Sequence, residues 1–115
     1  MKYTVSLKEN RVFRRLYAKG KSAVCPAMVL YCRKNGRKEN RYGITVSTKL
    51  GKAVTRNRVR RRLREIYRCN EHRFAPGWDI VVVARSRCIS ADFNKLTNAY
   101  LSLAEKAGIL IQEQP

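Results

Sequence analysis

Apolar positions along this chain recur with two different periods, and each change of period marks a new element. Leu7, Val12, Phe13, Leu16 and Tyr17 fall at helical spacing and end at Gly20, which predicts a first helix stopped by that glycine. Ser6 and Glu9 have the spacing of a capping box, and Asn10 is an alternative cap for a shorter helix. Either way Phe13 and Tyr17 lie four apart on one face. After Pro26, residues 27–33 (AMVLYCR) read as a strand, with 22–25 as a short stretch pairing before it. Residues 34–40 (KNGRKEN) are a polar turn that predicts a hairpin with a returning strand over 41–47 (RYGITVS). In that strand Tyr42, Ile44 and Val46 share one face, and Gly43, Thr45 and Ser47 share the other, as in a half-exposed sheet.

Residues 48–53 form a loop around Gly51. Over 55–69 the positions Val59, Leu63, Ile66 and Tyr67 make one apolar stripe on a helix whose other positions are mostly Arg. Pro76 and Gly77 mark a turn. Residues 79–84 (DIVVVA) are apolar on both faces and β-branched, which predicts a central, parallel strand. Ser90 is placed to cap a last helix with Phe93, Leu96, Tyr100, Leu103 and Ala107 as its buried stripe; Gly108 ends it, and 109–115 form a short tail. The order is α-β-β-β-α-β-α over a single domain, residues 1–115. This is an α+β fold with one sheet, helices mainly on one side of it, and a β-α-β unit running through the Arg-rich helix.

Composition narrows the class. The 115 residues suit one domain, and 44% are apolar, enough for one core. No window is apolar for long enough to span a membrane, and no leader-like start is visible, so the expectation is a cytoplasmic chain with no membrane partner. Cys25, Cys32, Cys69 and Cys88 show no C-x-x-C spacing, and the one His, His72, sits between Glu71 and Arg73. The cysteines read as small apolar fillers in a reducing compartment, not as zinc ligands.

Charge changes the picture most. The formal net charge is +18, and 16 of the 26 basic residues are Arg. Residues 1–90 hold 24 basic and 5 acidic side chains, and from 40 to 64 there are nine basic residues and no acid. Arg offers a planar fork of donors that matches phosphate and stacks on bases, and such an excess needs a counter-charge. The expected partner is nucleic acid. Lys49, Lys52, Arg56, Asn57, Arg58, Arg60, Arg61, Arg62 and Arg64 form the candidate docking surface, and its affinity should fall steeply with salt.

A second candidate surface follows from strand alternation. Val29 and Tyr31 point opposite to Met28, Leu30 and Cys32; if Ile44 and Val46 face the core with Leu30, Val29 and Tyr31 share the other face with Thr45 and Ser47. Phe13 and Tyr17 either pack the first helix on the sheet or line a groove at the edge of that face. Such an aromatic groove beside cations suits single-stranded RNA. Acids are few and scattered, so no catalytic residue is assigned to the chain.

The segment KLGKAVTRNRVRRRLRE, residues 49–65, resembles the signature of the bacterial ribonuclease P protein subunit. Asn10, Phe13, Tyr17 and Gly20, then Val29-Leu30-Tyr31, YGITVS over 42–47 and DIVVVAR over 79–85 fall in that family's order, so the resemblance covers roughly residues 7–105. Tyr17 stands where the family often carries Phe and keeps the stacking face. The resemblance implies a mixed four-stranded sheet with three helices and a left-handed crossover through the Arg-rich helix, where pattern alone favours a right-handed one. It also implies a partner, a large catalytic RNA that removes the 5′ leader of precursor tRNA. Mg2+ would be bound mainly by that RNA and the substrate, with no obligate protein partner. Phe13, Tyr17 and Tyr31, with Val29 and Ser47 on the same face, would grip the leader. A ribosomal RNA-binding protein and a DNA-binding module are the alternatives. The Arg-Asn-Arg block argues against the first, and the few Asn and Gln on the Arg-rich helix argue against the second.

Overall fold

A computed structural model describes residues 4–111. Eight principal elements follow in order: β1 (Thr4–Ser6), α1 (Asn10–Lys19), β2 (Lys21–Val24), β3 (Met28–Lys34), β4 (Asn40–Thr45), α2 (Ala53–Asn70), β5 (Trp78–Ala84) and α3 (Phe93–Lys106). The strands form one mixed sheet in the order β1-β4-β5-β3-β2. It has five strands where four were expected. The addition, β1, is three residues long, too short to show an alternating pattern, and pairs in parallel with β4.

The predicted hairpin between β3 and β4 does not form. β5 lies between them, parallel to β4 and antiparallel to β3. The polar turn does reverse the chain, but β5 takes the ladder on both sides. Its residues Ile80, Val81 and Val82 are fully buried, as expected for a central strand. The hairpin that forms is β2–β3.

Helices cover both faces, not mainly one. On one side α2 and α3 pack over Leu30, Ile80 and Val82, and the stripe Val59, Leu63, Ile66 and Tyr67 is buried as its spacing predicts. The centre is aromatic. Tyr42 stacks on Tyr67 at 4.3 Å between ring centroids, and the Tyr100 hydroxyl donates to that of Tyr42 at 2.7 Å. Burial pushes both the Tyr42 and Tyr100 phenols well above their ordinary pKa. On the other side α1 lies alone, with Val12 and Leu16 against Val81.

β1, β4, β5 and β2 run in one direction and β3 opposes them. The chain passes from β1 to β2 through α1 on one face and from β4 to β5 through α2 on the other. Both passages move across the sheet in the same direction, so the two crossovers have opposite hands. The right-handed rule therefore fails for one of them.

Several ends differ from expectation. Neither predicted cap holds α1: Glu9 precedes it without a side-chain cap, its carboxylate instead accepting from Arg11. Asp92, not Ser90, caps α3, accepting from the Asn94 and Lys95 amides. Phe93, placed in the buried stripe, is 42% exposed at the first position of α3, with the Arg62 guanidinium over its ring. Of the expected tail, Ile109 is buried and Leu110 bridges to Phe74, while residues 112–115 lie outside the described residues.

Candidate RNA interface

The basic surface begins where β4 ends. Ser47 accepts from the Lys49 amide at 3.2 Å and turns the chain into a short helical turn, Thr48–Leu50. Gly51 follows at φ +142°, a backbone value other residues rarely adopt. Arg56 reaches back and donates to the Gly51 carbonyl at 3.2 Å, fixing the loop to the first turns of α2. Lys49, Lys52, Asn57, Arg58, Arg61 and Arg64 are exposed along this edge. Among the described residues the ion pairs are Arg11 with Glu9, Arg37 with Glu39, Arg41 with Asp79, and Arg68 with Glu65. None involves the predicted docking set, so its positive charge is uncompensated.

Arg62 is placed differently from its neighbours. Its guanidinium donates to the carbonyls of Cys88 and Ala91 and lies 5.9 Å from the centre of the Phe93 ring. It clasps α2 to the turn before α3. Sequence spacing could not separate it from the other arginines, because its partners are 26 and 29 residues away.

The second surface lies on the face that α1 covers only in part. Val24, Val29, Val83 and Thr45 stand in one row across β2, β3, β5 and β4. Tyr31, Val81 and Gly43 form the next row, under α1. Tyr17 overhangs both: its hydroxyl bonds that of Thr45 at 2.8 Å, and its ring meets Tyr31 edge-on at 5.0 Å. Phe13 is 6.5 Å from Tyr17 and rests on Gly43. The structure thus brings Phe13, Tyr17, Val29 and Tyr31 together. Ser47 falls on the same side by alternation, beyond the end of the strand, with its hydroxyl engaged as a cap.

Phe13 answers both sequence readings, since it is half-buried on the sheet and also lines the groove. That groove, of about 640 Å³, is further lined by Asn10, Arg14, Tyr17, Thr45 and Arg60. Asn10 and Arg14 were missed, although their spacing from Phe13 and Tyr17 sets them on the same flank of α1. Arg60 joins the two surfaces, because it belongs to α2 and also borders the aromatic groove.

The carboxylates Glu9, Glu39, Glu65 and Asp79 are each tied to an arginine. Among the described residues no three acidic, Cys or His side chains stand together as a metal cage. Among the described residues there is thus no preformed cage for Mg2+. No described helix is long and apolar enough to cross a membrane.

What this geometry can do is hold phosphates on one surface and stack bases on the other. A family model described as Ribonuclease P matches residues 1–108. The ribonuclease P protein component of Alkaliphilus oremlandii is 40% identical over 110 residues, covering 96% of each chain. The Staphylococcus aureus RNase P protein superposes with a TM-score of 0.84 at 31% identity, covering 92% of this chain and 97% of that one. The Thermotoga maritima protein gives 0.81 at 34% identity, covering 94% and 98%. With the family model matching residues 1–108 and relatives alike in sequence and fold over nearly its full length, the chain belongs to the ribonuclease P protein family.

Proposed function

We propose that this protein component of ribonuclease P, an endoribonuclease of tRNA processing, seats α2 and its preceding loop on the enzyme's catalytic RNA and holds the single-stranded 5′ leader of precursor tRNA in the aromatic cleft. It works in the cytoplasm. Mg2+ belongs to the RNA and the substrate, where it activates water and neutralises developing charge. The protein contributes no acid, base or nucleophile. Lys49, Lys52, Arg56, Asn57, Arg58, Arg60, Arg61 and Arg64 offset phosphate repulsion and release condensed cations on docking. Arg62 supports them indirectly, by fixing α2 in place.

One observation carries the reading: the groove walled by Phe13 and Tyr17 opens onto Arg60, one of the α2 cations that form no ion pair among the described residues. A strand leaving an RNA docked on α2 would enter the cleft without leaving positive potential. Each base stacked there is worth about 1–3 kcal/mol.

Tyr17 is the residue to test, because it is 40% exposed, whereas Tyr31 is half-buried and packs against the cluster under α1. In the assembled holoenzyme Tyr17→Ala should weaken precursor tRNA binding roughly 5- to 150-fold and leave mature tRNA binding unchanged. Tyr17→Phe, which keeps the ring and loses only the Thr45 hydrogen bond, should stay near wild type. Equal losses for precursor and mature tRNA would show that the cleft does not hold the leader.

A further inference from the structure

A second hollow lies at the tip of the β2–β3 hairpin, away from the aromatic cleft. This slot, of about 560 Å³, lies on the α3 side of the sheet. Its walls are mainly apolar, from Cys25 and Ala27 at the hairpin tip and Leu96 and Ala99 of α3; Arg87 and Lys95 are exposed at its edge. Neither cation forms an ion pair among the described residues. Asp92, the acid nearest in sequence, is engaged as the cap of α3.

The slot is braced from two sides. Arg85 donates through its backbone amide to the Ala27 carbonyl at 2.9 Å and through its guanidinium to the Cys25 carbonyl at 3.1 Å, which holds the hairpin tip. Arg62 holds the carbonyl of Ala91, which lines the slot, and that of Cys88 beside it. These bonds shape the slot before any ligand arrives.

Its position gives it an occupant. The cleft lies beside Arg60 of α2, and from its Thr45 the row Val83, Val29 and Val24 leads across the same face of the sheet to the hairpin tip. Val24 is 56% exposed there. A strand crossing the cleft from the α2 side would leave it over this tip, and the next feature it meets is the slot. An apolar hollow with cations at its edge that form no ion pair among the described residues suits a base inside and phosphates outside.

We propose that the slot receives one nucleobase of the single-stranded leader, farther from the cleavage point than the part in the aromatic cleft, with the flanking phosphates on Arg87 and Lys95. This rests on the leader reading above. The structure thus supplies a second leader subsite, built from the hairpin tip and α3, and it makes the protein sensitive to leader length.

The test is holoenzyme affinity for precursor tRNAs carrying a short leader, which fills the cleft only, and a long leader that passes the hairpin tip. The readout is the ratio of the two affinities within each variant. In wild type the long leader should bind roughly 5- to 150-fold more tightly, the worth of one stacked base. Ala99→Phe fills the slot and should bring that ratio close to one. The double variant Arg87→Glu, Lys95→Glu, which changes only exposed side chains, should do the same and keeps the test intact if Ala99→Phe destabilises the fold. Tyr17→Ala is the parallel control and should weaken both substrates. A wild-type ratio in the slot variants while Tyr17→Ala still weakens both would overturn the slot and leave the cleft standing. No effect of Tyr17→Ala on either substrate would overturn the leader reading itself.

Discussion

Gly43 sets how closely α1 can approach the sheet. A Cβ at that position would stand 2.7 and 2.9 Å from two ring carbons of Phe13, so the ring would have to shift. Gly43→Ala should therefore destabilise the protein by about 1–3 kcal/mol, the range for overpacking, and thermal melting would show it. An unchanged melting temperature would mean that Phe13 moves freely, and so is no part of a rigid cleft. A second residue-scale effect concerns the buried phenols. Burial raises the pKa of Tyr42 and Tyr100 in the folded state, so they keep their protons where unfolded tyrosines ionise, above about pH 10. The unfolded chain then binds fewer protons than the native one. Stability is fully present below that pH and should fall as pH rises beyond it. Chemical denaturation followed across the alkaline range, with tyrosinate absorbance rising in step with unfolding, checks this. At this scale alternation along β3 correctly put Tyr31 on the cleft face. Its partial burial was not legible, since that comes from Tyr17, on a helix whose placement the local pattern leaves open.

At the scale of the element, α2 carries two kinds of arginine that should separate by experiment. Arg58 and Arg61 are exposed, and Arg56 bonds only the loop beside it. Replacing Arg56, Arg58 and Arg61 together by Ala should weaken assembly with the catalytic RNA and make its salt dependence shallower by roughly one unit of slope per lost phosphate contact. The melting temperature should move little. Arg62→Ala should do the reverse, lowering stability by about 1–3 kcal/mol as two carbonyls lose their donor, with a smaller change in salt slope. If the two variants behave alike, the clasp and the docking face are not distinct. The helix itself was legible because its four buried positions repeat every turn or two. The β3–β4 hairpin was misread for the opposite reason. A polar turn between two strands signals a local reversal, and nothing local reports that β5, 38 residues on from β4 in the Arg41–Asp79 pairing, will intervene. β1 escaped notice because three residues cannot display a period.

The whole molecule carries a net charge of +18, concentrated before residue 91. Self-repulsion opposes the compact state, and the Debye length falls to about 10 Å at 0.1 M salt. Added salt should therefore raise the melting temperature of the free protein while it weakens assembly with RNA. Parallel melting and binding titrations would show the opposed trends, and a melting temperature that falls with salt would contradict this account. Charge and fold class were readable from the chain, whereas strand order was not, because it depends on which distant segments meet. That order has a consequence for timing. The strand joining the two halves of the sheet is the last one made: β1 with β4, and β2 with β3, meet only through Trp78–Ala84. A ribosome adds about 5–20 residues per second and releases the N-terminal part first. Until the central strand has emerged, the nascent chain consists of open strand edges and already carries most of its positive charge. Newly made protein thus passes through an interval in which it is sticky, cationic and unable to close its sheet, and that interval lasts until Trp78–Ala84 is free to pair.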